Sequence, residues 1–310
     1  MARGGGLLAA FERWEQQTMQ QQGLIRKATG GFYYVQTPQE ELECRARGLF
    51  RKEKISPCVG DRVTVEPTEP GKGYVVDIAP RKNVLVRPPL ANLDQLFLVT
   101  SVADPSPNLL VLDKMIAIAL HKEIQPILVV TKCDLGAPDT LNRIYQLAGI
   151  PVYNVNNQTG EGAQALIPLF AGKISAFSGN TGVGKSSLLN VLSPSLQIKT
   201  GETSQKLGRG RHTTRHVELF QLFDGYVADT PGFSAVELER YEVILKDQLQ
   251  YCFPEFAPYL GECRFTGCSH TCEKGCTVLQ ALAEGKIAPS RHESYCTMYE
   301  TAKQIKEWEL

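Results

Sequence analysis

A glycine-rich stretch between an apolar segment and an amphipathic one carries the clearest chemistry in the chain. It reads Gly179-Asn180-Thr181-Gly182-Val183-Gly184-Lys185-Ser186-Ser187. The spacing of glycine, four residues, glycine, lysine and hydroxyl fits the phosphate-loop pattern, in which backbone N–H groups and a helix N-terminus face phosphate oxygens. We expect Lys185 to reach the outer phosphates and Ser186 to offer its hydroxyl to Mg²⁺. The stretch therefore predicts a nucleoside triphosphate site.

A tetrapeptide that follows an apolar segment has the composition of a guanine-reading loop. It consists of Thr131, Lys132, Cys133 and Asp134. The Asp134 carboxylate would accept hydrogen bonds from guanine N1 and the 2-amino group, which adenine does not offer. The Lys132 stem would lie along the purine ring. Residues 154–160 also follow a predicted strand and are expected to back the base.

Two stretches after the phosphate loop are expected to sense the γ-phosphate. Asp229 and Gly232 belong to an Asp-Thr-Pro-Gly motif at the end of a predicted strand. We expect Asp229 to hold Mg²⁺ through water and the Gly232 N–H to meet the γ-phosphate. Residues 209–214 are predicted to form a mobile loop in which Thr213 or Thr214 completes the Mg²⁺ shell.

The order of these motifs is unusual, because the guanine-reading loop precedes the phosphate loop. In ordinary GTPases it follows. The sequence therefore indicates a circular permutation, which a fold tolerates when its original termini lie close together. The permutation leads the Asp-Thr-Pro-Gly motif directly into the last unit of the chain.

Composition is that of an ordinary globular protein. The chain has 310 residues, of which 43% are hydrophobic and 21% charged, and its formal net charge is zero. Contact with nucleic acid must therefore depend on local patches. No stretch approaches the roughly 18 apolar residues of a membrane span, and no signal peptide is visible, so we expect a cytoplasmic protein without membrane contact. Nine cysteines in a reducing compartment indicate thiols or a metal site.

The hydrophobic pattern predicts a multidomain protein. Residues 1–20 are predicted to be an N-terminal helix or extension, the helical pattern running from Leu7 through Gln22. Residues 21–88 contain five short strand patterns between turns, which predict an OB-like β-barrel. Residues 89–234 alternate longer strands and helices, which predict an α/β P-loop domain with helices on both faces. Residues 235–310 are predicted to be mainly helical and zinc-binding.

The predicted barrel has a local excess of positive charge. Between residues 21 and 88 there are 12 Lys/Arg and 8 Asp/Glu. Five of the basic residues cluster near one loop: Arg45, Arg47, Arg51, Lys52 and Lys54. The pattern is typical of either an RNA-binding surface or a solvated face of mixed charge.

A cysteine cluster in the last unit has the spacing of a metal site. Cys263, Cys268, His270 and Cys276 provide three thiolates and an imidazole within fourteen residues. A closed set of four such ligands is typical of structural zinc. Cys272 lies in the same stretch as a competing donor, and free thiols are the alternative. The other cysteines are scattered and are interpreted as thiols of the core or surface.

These motifs together resemble a known family, the bacterial small-ribosomal-subunit-dependent GTPases called RsgA or YjeQ. The resemblance covers nearly the whole chain and rests on Gly179–Ser187, on the Gly-Arg-His-Thr-Thr of residues 210–214, on the Asp-Thr-Pro-Gly-Phe of residues 229–233, and on the cysteine cluster. It implies GTP hydrolysis stimulated by the small ribosomal subunit, a role in late maturation of that subunit, and release on hydrolysis. The implied partners are GTP or GDP, Mg²⁺, rRNA and one structural zinc ion.

The resemblance also bears on individual residues. The family's ligand spacing favours a zinc site without Cys272. Thr131 stands where GTPases most often have Asn, and one hydroxyl cannot donate and accept as an amide does. We expect Asp134 to preserve guanine selectivity, with weaker affinity.

The hydrolytic residue is predicted less directly. Phe233 occupies the place of the water-orienting Gln of Ras-like enzymes, and Phe cannot position water, so intrinsic turnover should be slow. His212 is the best substitute, with Lys185 and Thr214 as the other catalytic candidates. A surface histidine in a basic loop is the alternative interpretation of His212.

Two other functions are compatible with the sequence. One is a P-loop ATPase or small-molecule kinase, against which Asp134 argues. The other is a non-catalytic, nucleotide-dependent RNA-binding assembly factor, which Phe233 would permit. We expect the protein to be a monomer.

Overall fold

The protein is described by a computed structural model over residues 20–48, 50, 55–86, 89–194, 217–229 and 242–305. The strands within these ranges are β1 Gln21–Thr29, β2 Phe32–Gln36, β3 Glu41–Ala46, β4 Arg62–Glu69, β5 Lys72–Ile78, β6 Val84–Leu85, β7 Leu90–Ala91, β8 Gln95–Ser101, β9 Gln125–Thr131, β10 Val152–Asn154, β11 Ile174–Ser178, β12 Glu218–Leu222 and β13 Gly225–Asp229. The α-helices are α1 Leu109–His121, α2 Asp139–Leu147, α3 Lys185–Leu192, α4 Lys246–Leu249, α5 Thr277–Ala283 and α6 Pro289–Ala302. Short 3₁₀ helices span Ala163–Phe170, Gln250–Cys252 and Pro254–Tyr259. None of the helices in the described ranges has the length and apolar character needed to cross a bilayer.

Five strands form the N-terminal barrel. Their hydrogen-bonded order is β1-β2-β3-β5-β4, and β1 also pairs with β4, which closes the sheet on itself. Side chains at alternate positions, such as Val63 and Val65 of β4, are fully buried, as expected for a sheet with one face toward a core. The predicted OB-like barrel is confirmed.

One detail of the N-terminal prediction is wrong. Gln21 and Gln22, placed at the end of a helix, belong to β1 and pair with Val65 and Thr64 of β4. Backbone pairing across the barrel overrides the weak helical preference of a polar glutamine run. Residues 1–19 lie outside the described part of the chain.

The central sheet is parallel and buried on both faces. Its order is β10-β9-β8-β11-β13, followed by β12, which runs antiparallel to β13. Alternate residues of β8 enter different cores: Leu96 and Leu98 face the side of α1, whereas Phe97 and Val99 face the side of α3. Phe97 stacks on Phe177 of β11 at 4.8 Å between ring centroids. The predicted α/β architecture with helices on both faces is confirmed, although the helix predicted at residues 163–170 is a 3₁₀ helix.

The barrel and the central sheet share one continuous set of strands. Strand β1 pairs antiparallel with β12, with Lys27 opposite Glu218. The same two side chains lie 3.4 Å apart as an ion pair, and Arg26 Nε donates to the Leu219 carbonyl oxygen at 3.2 Å. The domain boundaries predicted at residues 88 and 234 fall outside the described residues and stay predictions.

The C-terminal unit is joined to the central domain by a buried ion-pair network. Arg291 of α6 is fully buried. Its Nη1 donates to Asp113 Oδ1 of α1 at 2.8 Å, and its Nε donates to Glu255 Oε1 at 2.7 Å. The guanidinium carbon lies 4.5 Å from the ring centroid of Phe253, and Tyr145 donates its hydroxyl to Asp113. One cation therefore compensates two carboxylates from two different parts of the chain.

We expect Arg291→Ala to lower the free energy of unfolding by about 3–5 kcal/mol, because it leaves buried carboxylates without a counter-charge. Thermal denaturation of the full chain measures the change. Lys303→Ala is the matched control, since Lys303 follows the same helix but forms an exposed pair with Glu300 and should have little effect. Equal melting temperatures for the two variants would contradict the role given to Arg291.

Candidate nucleotide and metal sites

The phosphate loop joins the end of β11 to the start of α3. Gly179 and Gly184 have φ angles of 153° and 92°, which favour glycine. A Cβ on Gly179 would lie 2.2 Å from the Val99 carbonyl oxygen of β8, so no other residue fits there without moving the neighbouring strand. Val183 is buried, whereas Asn180, Thr181 and Gly182 are exposed. The phosphate loop is thus packed against the sheet on one side and exposed to solvent on the other.

Lys185, the first residue of α3, folds back over this loop. Its ammonium donates to the carbonyl oxygens of Gly179 and Asn180, the latter at 2.9 Å. Burial lowers the pKa of the Lys185 ammonium to about 8. The side chain is therefore positioned across the mouth of the loop, with a charge that phosphate oxygens would stabilise. Ser186 and Ser187 follow in the first turn of the same helix.

The predicted guanine-reading loop contacts the phosphate loop through Thr131. The Thr131 hydroxyl is buried and lies 2.5 Å from the Val183 carbonyl oxygen and 2.9 Å from that of Thr100. The hydroxyl has one proton to donate, and the shorter of the two contacts is the hydrogen bond to the Val183 carbonyl oxygen. Thr131 belongs to the stretch predicted to read the base, which stays a prediction. Its hydroxyl connects that stretch to the phosphate loop, 52 residues away in the sequence.

The rest of the predicted guanine-reading loop runs from half-buried residues to the exposed Asp134. Lys132 has a positive φ of 58°, and its ammonium donates to the Asp104 carbonyl oxygen. Asp134 is exposed, and the Cys133 thiol donates to the Val130 carbonyl oxygen at 3.4 Å. The carboxylate of Asp134 is thus accessible at the carboxyl edge of the sheet, next to the loop that Thr131 holds.

The predicted backing loop contains a contact that sequence reasoning missed. Asn157 Nδ2 donates to the Gly184 carbonyl oxygen at 3.1 Å, so residues 154–160 reach the phosphate loop as well. The sequence indicated only that residues 154–160 form a loop near the site. It did not indicate which side chain of that loop points toward the phosphate loop.

Several predicted sensing residues lie outside the described part of the chain. They are Arg209 to Thr214, with His212, Thr213 and Thr214 among them, and Thr230 to Phe233, with Gly232 among them. Asp229 is described as the last residue of β13. Strand β13 lies next to β11 in the sheet, parallel to it. The carboxyl ends of these two strands therefore lie at the same edge, with the phosphate loop following one and Asp229 ending the other.

The four predicted metal ligands form a cluster in the C-terminal unit. Their ligand atoms, the thiol sulfurs of Cys263, Cys268 and Cys276 and a ring nitrogen of His270, all lie within 4.8 Å of one another. His270 Nδ1 lies 3.4 Å from Cys276 Sγ and 3.6 Å from Cys263 Sγ. Such a Cys₃His set suits one tetrahedral ion such as zinc. Cys272, left open by composition, is exposed and not part of this cluster.

Surrounding groups orient the ligands. The other ring nitrogen of His270, Nε2, lies 2.9 Å from Gln250 Oε1, which fixes the ring with Nδ1 toward the thiols. Cys276 precedes α5, and the Leu279 N–H donates to its sulfur at 3.5 Å. Glu273 accepts hydrogen bonds from the backbone N–H groups of Ser269, Thr271 and Cys272. Burial raises the pKa of Glu273, but the hydrogen bonds from Ser269 and Cys272 outweigh it and lower the pKa to about 2. The loop is ordered by its own carboxylate as well as by the ligand set.

Comparison with known proteins gives a consistent result. The chain matches the family model described as RsgA GTPase over residues 78–239 and that of the RsgA N-terminal domain over residues 22–75. A protein of Geobacillus thermodenitrificans named small ribosomal subunit biogenesis GTPase RsgA is 44% identical, covering 92% of this chain and 98% of the relative. A second, RsgA 2 of Oceanobacillus iheyensis, is 45% identical with the same coverage.

Two solved structures are similar to this chain in fold as well as in sequence. YjeQ from Thermotoga maritima superposes with a TM-score of 0.79 at 32% identity, over 93% of this chain and all of that chain (100%). YloQ, described as a circularly permuted GTPase, superposes with a TM-score of 0.78 at 35% identity, over 98% and 99% of the two chains.

We expect Cys276→Ser to abolish tight metal binding, because it removes a buried ligand from the cluster. Cys272→Ser is the matched control and should retain about one ion per chain. Elemental analysis of the purified full-length proteins after dialysis measures the content and identifies the metal. Loss of metal in the Cys272 variant with retention in the Cys276 variant would contradict the assigned ligand set.

We expect affinity for GDP to fall as pH rises through about 8. Below that pH, Lys185 carries its charge before GDP arrives, whereas above it GDP binding must also draw a proton onto the neutral Lys185 amine. The loss should approach about tenfold per pH unit once the free site is neutral. Calorimetric titration between about pH 7 and about pH 9, in buffers of different ionisation enthalpy, measures affinity and proton uptake together. A GDP affinity that does not change with pH, together with no proton uptake, would contradict this expectation.

Proposed function

The chain belongs to the RsgA family of GTPases, and from that premise we propose that it binds the small ribosomal subunit, hydrolyses GTP faster there, and is released on hydrolysis. The relatives named above carry small ribosomal subunit biogenesis in their names. We propose the same setting for this chain, in late maturation of the subunit.

The contact between Thr131 and the Val183 carbonyl oxygen carries the guanine-nucleotide part of the proposal. At 2.5 Å it places the loop that ends in Asp134 beside the phosphate loop, although the chain order of the two is reversed. A nucleotide whose phosphates lie on the N–H groups of Gly182 to Lys185 would have its base near Asp134. That arrangement favours guanine over adenine and counts against an ATPase or kinase.

The catalytic roles are proposals on the same basis. Lys185 would bind the outer phosphates, and Ser186 with Asp229 would hold Mg²⁺, whose charge would partly neutralise the phosphate oxygens. Gly232 and Thr213 would contact the γ-phosphate and its metal ion. His212 would orient the attacking water, with Thr214 beside it.

Zinc is the metal we propose for the C-terminal cluster. Three thiolates and one imidazole form a soft, closed donor set that excludes a substrate position. The ion would therefore stabilise the fold of this unit and not take part in hydrolysis.

Ribosomal RNA is the proposed partner of the barrel. Arg45 lies over the ring of Phe32 with 4.6 Å between the guanidinium carbon and the ring centroid. The two line a cleft of about 580 Å³ together with Tyr33, Arg47 and Ile55. Exposed cationic groups beside half-buried aromatic rings suit unpaired bases and backbone phosphates. Within the predicted basic cluster, Arg51, Lys52 and Lys54 lie outside the described residues.

We expect purified small subunits to raise phosphate release from GTP well above the intrinsic rate, and excess GTP but not ATP to displace bound GDP. Phosphate release with and without subunits measures the stimulated and the intrinsic rate of hydrolysis. His212→Ala should bind GDP normally and lose the stimulation, by about 10²-fold or more if the histidine orients water. Full stimulation in that variant would contradict the role of His212. Equal rates with and without subunits in the wild-type protein would leave a nucleotide-dependent binding factor as the better description.

A further inference from the structure

We propose that Asn157 is a positioning residue of the nucleotide site, which shares with Thr131 the task of fixing the phosphate loop. The inference rests on the proposed function, since it concerns the same guanine-nucleotide site. It assigns to the backing loop a role toward the phosphates, in addition to the role toward the base expected from the sequence.

The geometry brings two side chains onto consecutive carbonyl groups. Thr131, from the guanine-reading loop, donates to the Val183 carbonyl oxygen at 2.5 Å. Asn157, from the backing loop, donates through Nδ2 to the Gly184 carbonyl oxygen at 3.1 Å. A Cβ placed on Gly184 would lie 2.6 Å from Asn157 Nδ2 and 3.7 Å from Thr131 Oγ1. Two loops of different origin therefore converge on one peptide segment, directly before Lys185.

This pairing accounts for the single hydroxyl of Thr131. A threonine donates one hydrogen bond, whereas an asparagine amide donates two. The second donor is provided here by Asn157, at the next carbonyl group along the loop. Fixing the carbonyls of Val183 and Gly184 also fixes the peptide planes that follow them, and so directs the N–H groups of Gly184 and Lys185 toward the phosphate oxygens.

The backing loop is built to present this amide. Asn156 Oδ1 accepts from the Gln158 N–H at 2.9 Å and from the Thr159 N–H at 3.3 Å, a turn that flanks Asn157 on both sides. The Val155 N–H donates to the Val130 carbonyl oxygen at 2.8 Å, which anchors the loop to the strand that leads into Thr131. Asn157 is thus positioned by the same strand end as its partner.

The hydrogen bond from Asn157 to the Gly184 carbonyl oxygen is expected to contribute more to nucleotide binding than to the stability of the fold. The Gly184 carbonyl oxygen also accepts from the Leu188 N–H at 2.8 Å, so it keeps a partner when the amide is removed. Asn157 Oδ1 is buried without a hydrogen-bond partner among the described residues, which costs stability. Removing the side chain should therefore change the folded state's stability little while freeing the loop.

The test measures GDP affinity and melting temperature of the full-length protein. Asn157→Ala should raise the dissociation constant for GDP by about three- to tenfold with a nearly unchanged melting temperature. Asn157→Asp, of the same shape, should bind GDP no better than the alanine variant, because it places a carboxylate oxygen against the Gly184 carbonyl oxygen. Gln146→Ala is the control, since Gln146 is exposed on α2, outside the loops of the site, and should bind GDP like the wild-type protein.

A double-mutant cycle with Thr131→Val adds a readout that a merely structural role would not change. Because both side chains hold one segment, the loss of affinity in Thr131→Val with Asn157→Ala should differ from the product of the single losses. The KM for GTP should rise in Asn157→Ala with kcat nearly unchanged. Wild-type affinity in both Asn157 variants, or independent losses in the cycle, would overturn the inference while leaving the proposed function intact. A wild-type protein that binds no GDP would overturn both.

Discussion

The nucleotide site depends on the parallel pairing of β9, β8, β11 and β13. Parallel strands end at the same edge of a sheet, so the segments that follow them meet in space whatever their order along the chain. Thr131 ends β9, the phosphate loop follows β11, and Asp229 ends β13. Permuting the chain changes which loops are covalently joined and leaves this edge unchanged. For that reason the predicted guanine-reading loop can precede the phosphate loop while both lie at the same edge of the sheet.

The C-terminal unit is positioned by charge as well as by packing. Buried ion pairs contribute little net stability relative to apolar replacements, but they have strict geometric requirements. Arg291 satisfies carboxylates from α1 and from the segment before the metal cluster. Glu242 makes a second such junction, accepting from the Val86 N–H at 2.9 Å and pairing with Lys122 at 2.6 Å. Asp113 near the start of α1 and Lys122 directly after its end therefore both contact the C-terminal unit, and Glu242 of that unit also contacts the segment after the barrel.

Much of the fold follows from local patterns in the sequence. The barrel strands follow from alternating apolar residues between turns, the phosphate loop from glycine spacing, and the metal cluster from four ligands within fourteen residues. These signals are short-range, so one sequence is enough to read them. The type of the 163–170 helix was less accessible, since Pro168 and a short apolar run permit either helical form.

The contacts that join the units were not predictable in the same way. Arg291 and Asp113 are 178 residues apart, and neither stands in a recognisable motif. The contact of Thr131 with Val183 depends on which way a hydroxyl points at the end of a strand. The pairing of Gln21 with Val65 likewise forms only when the barrel closes, because β1 and β4 are far apart in the sequence. In each case the deciding interaction exists only in the folded chain.

The pairing of β1 with β12 has a consequence for aggregation. In a sheet that ended at β12, the backbone groups of that strand would be open to pairing with another chain, a common route to unwanted association. The barrel covers part of this edge with β1, and the Arg26 guanidinium occupies the Leu219 carbonyl oxygen. The barrel thereby leaves less of the β12 edge open to another chain, and a central domain produced without it would expose that edge in full.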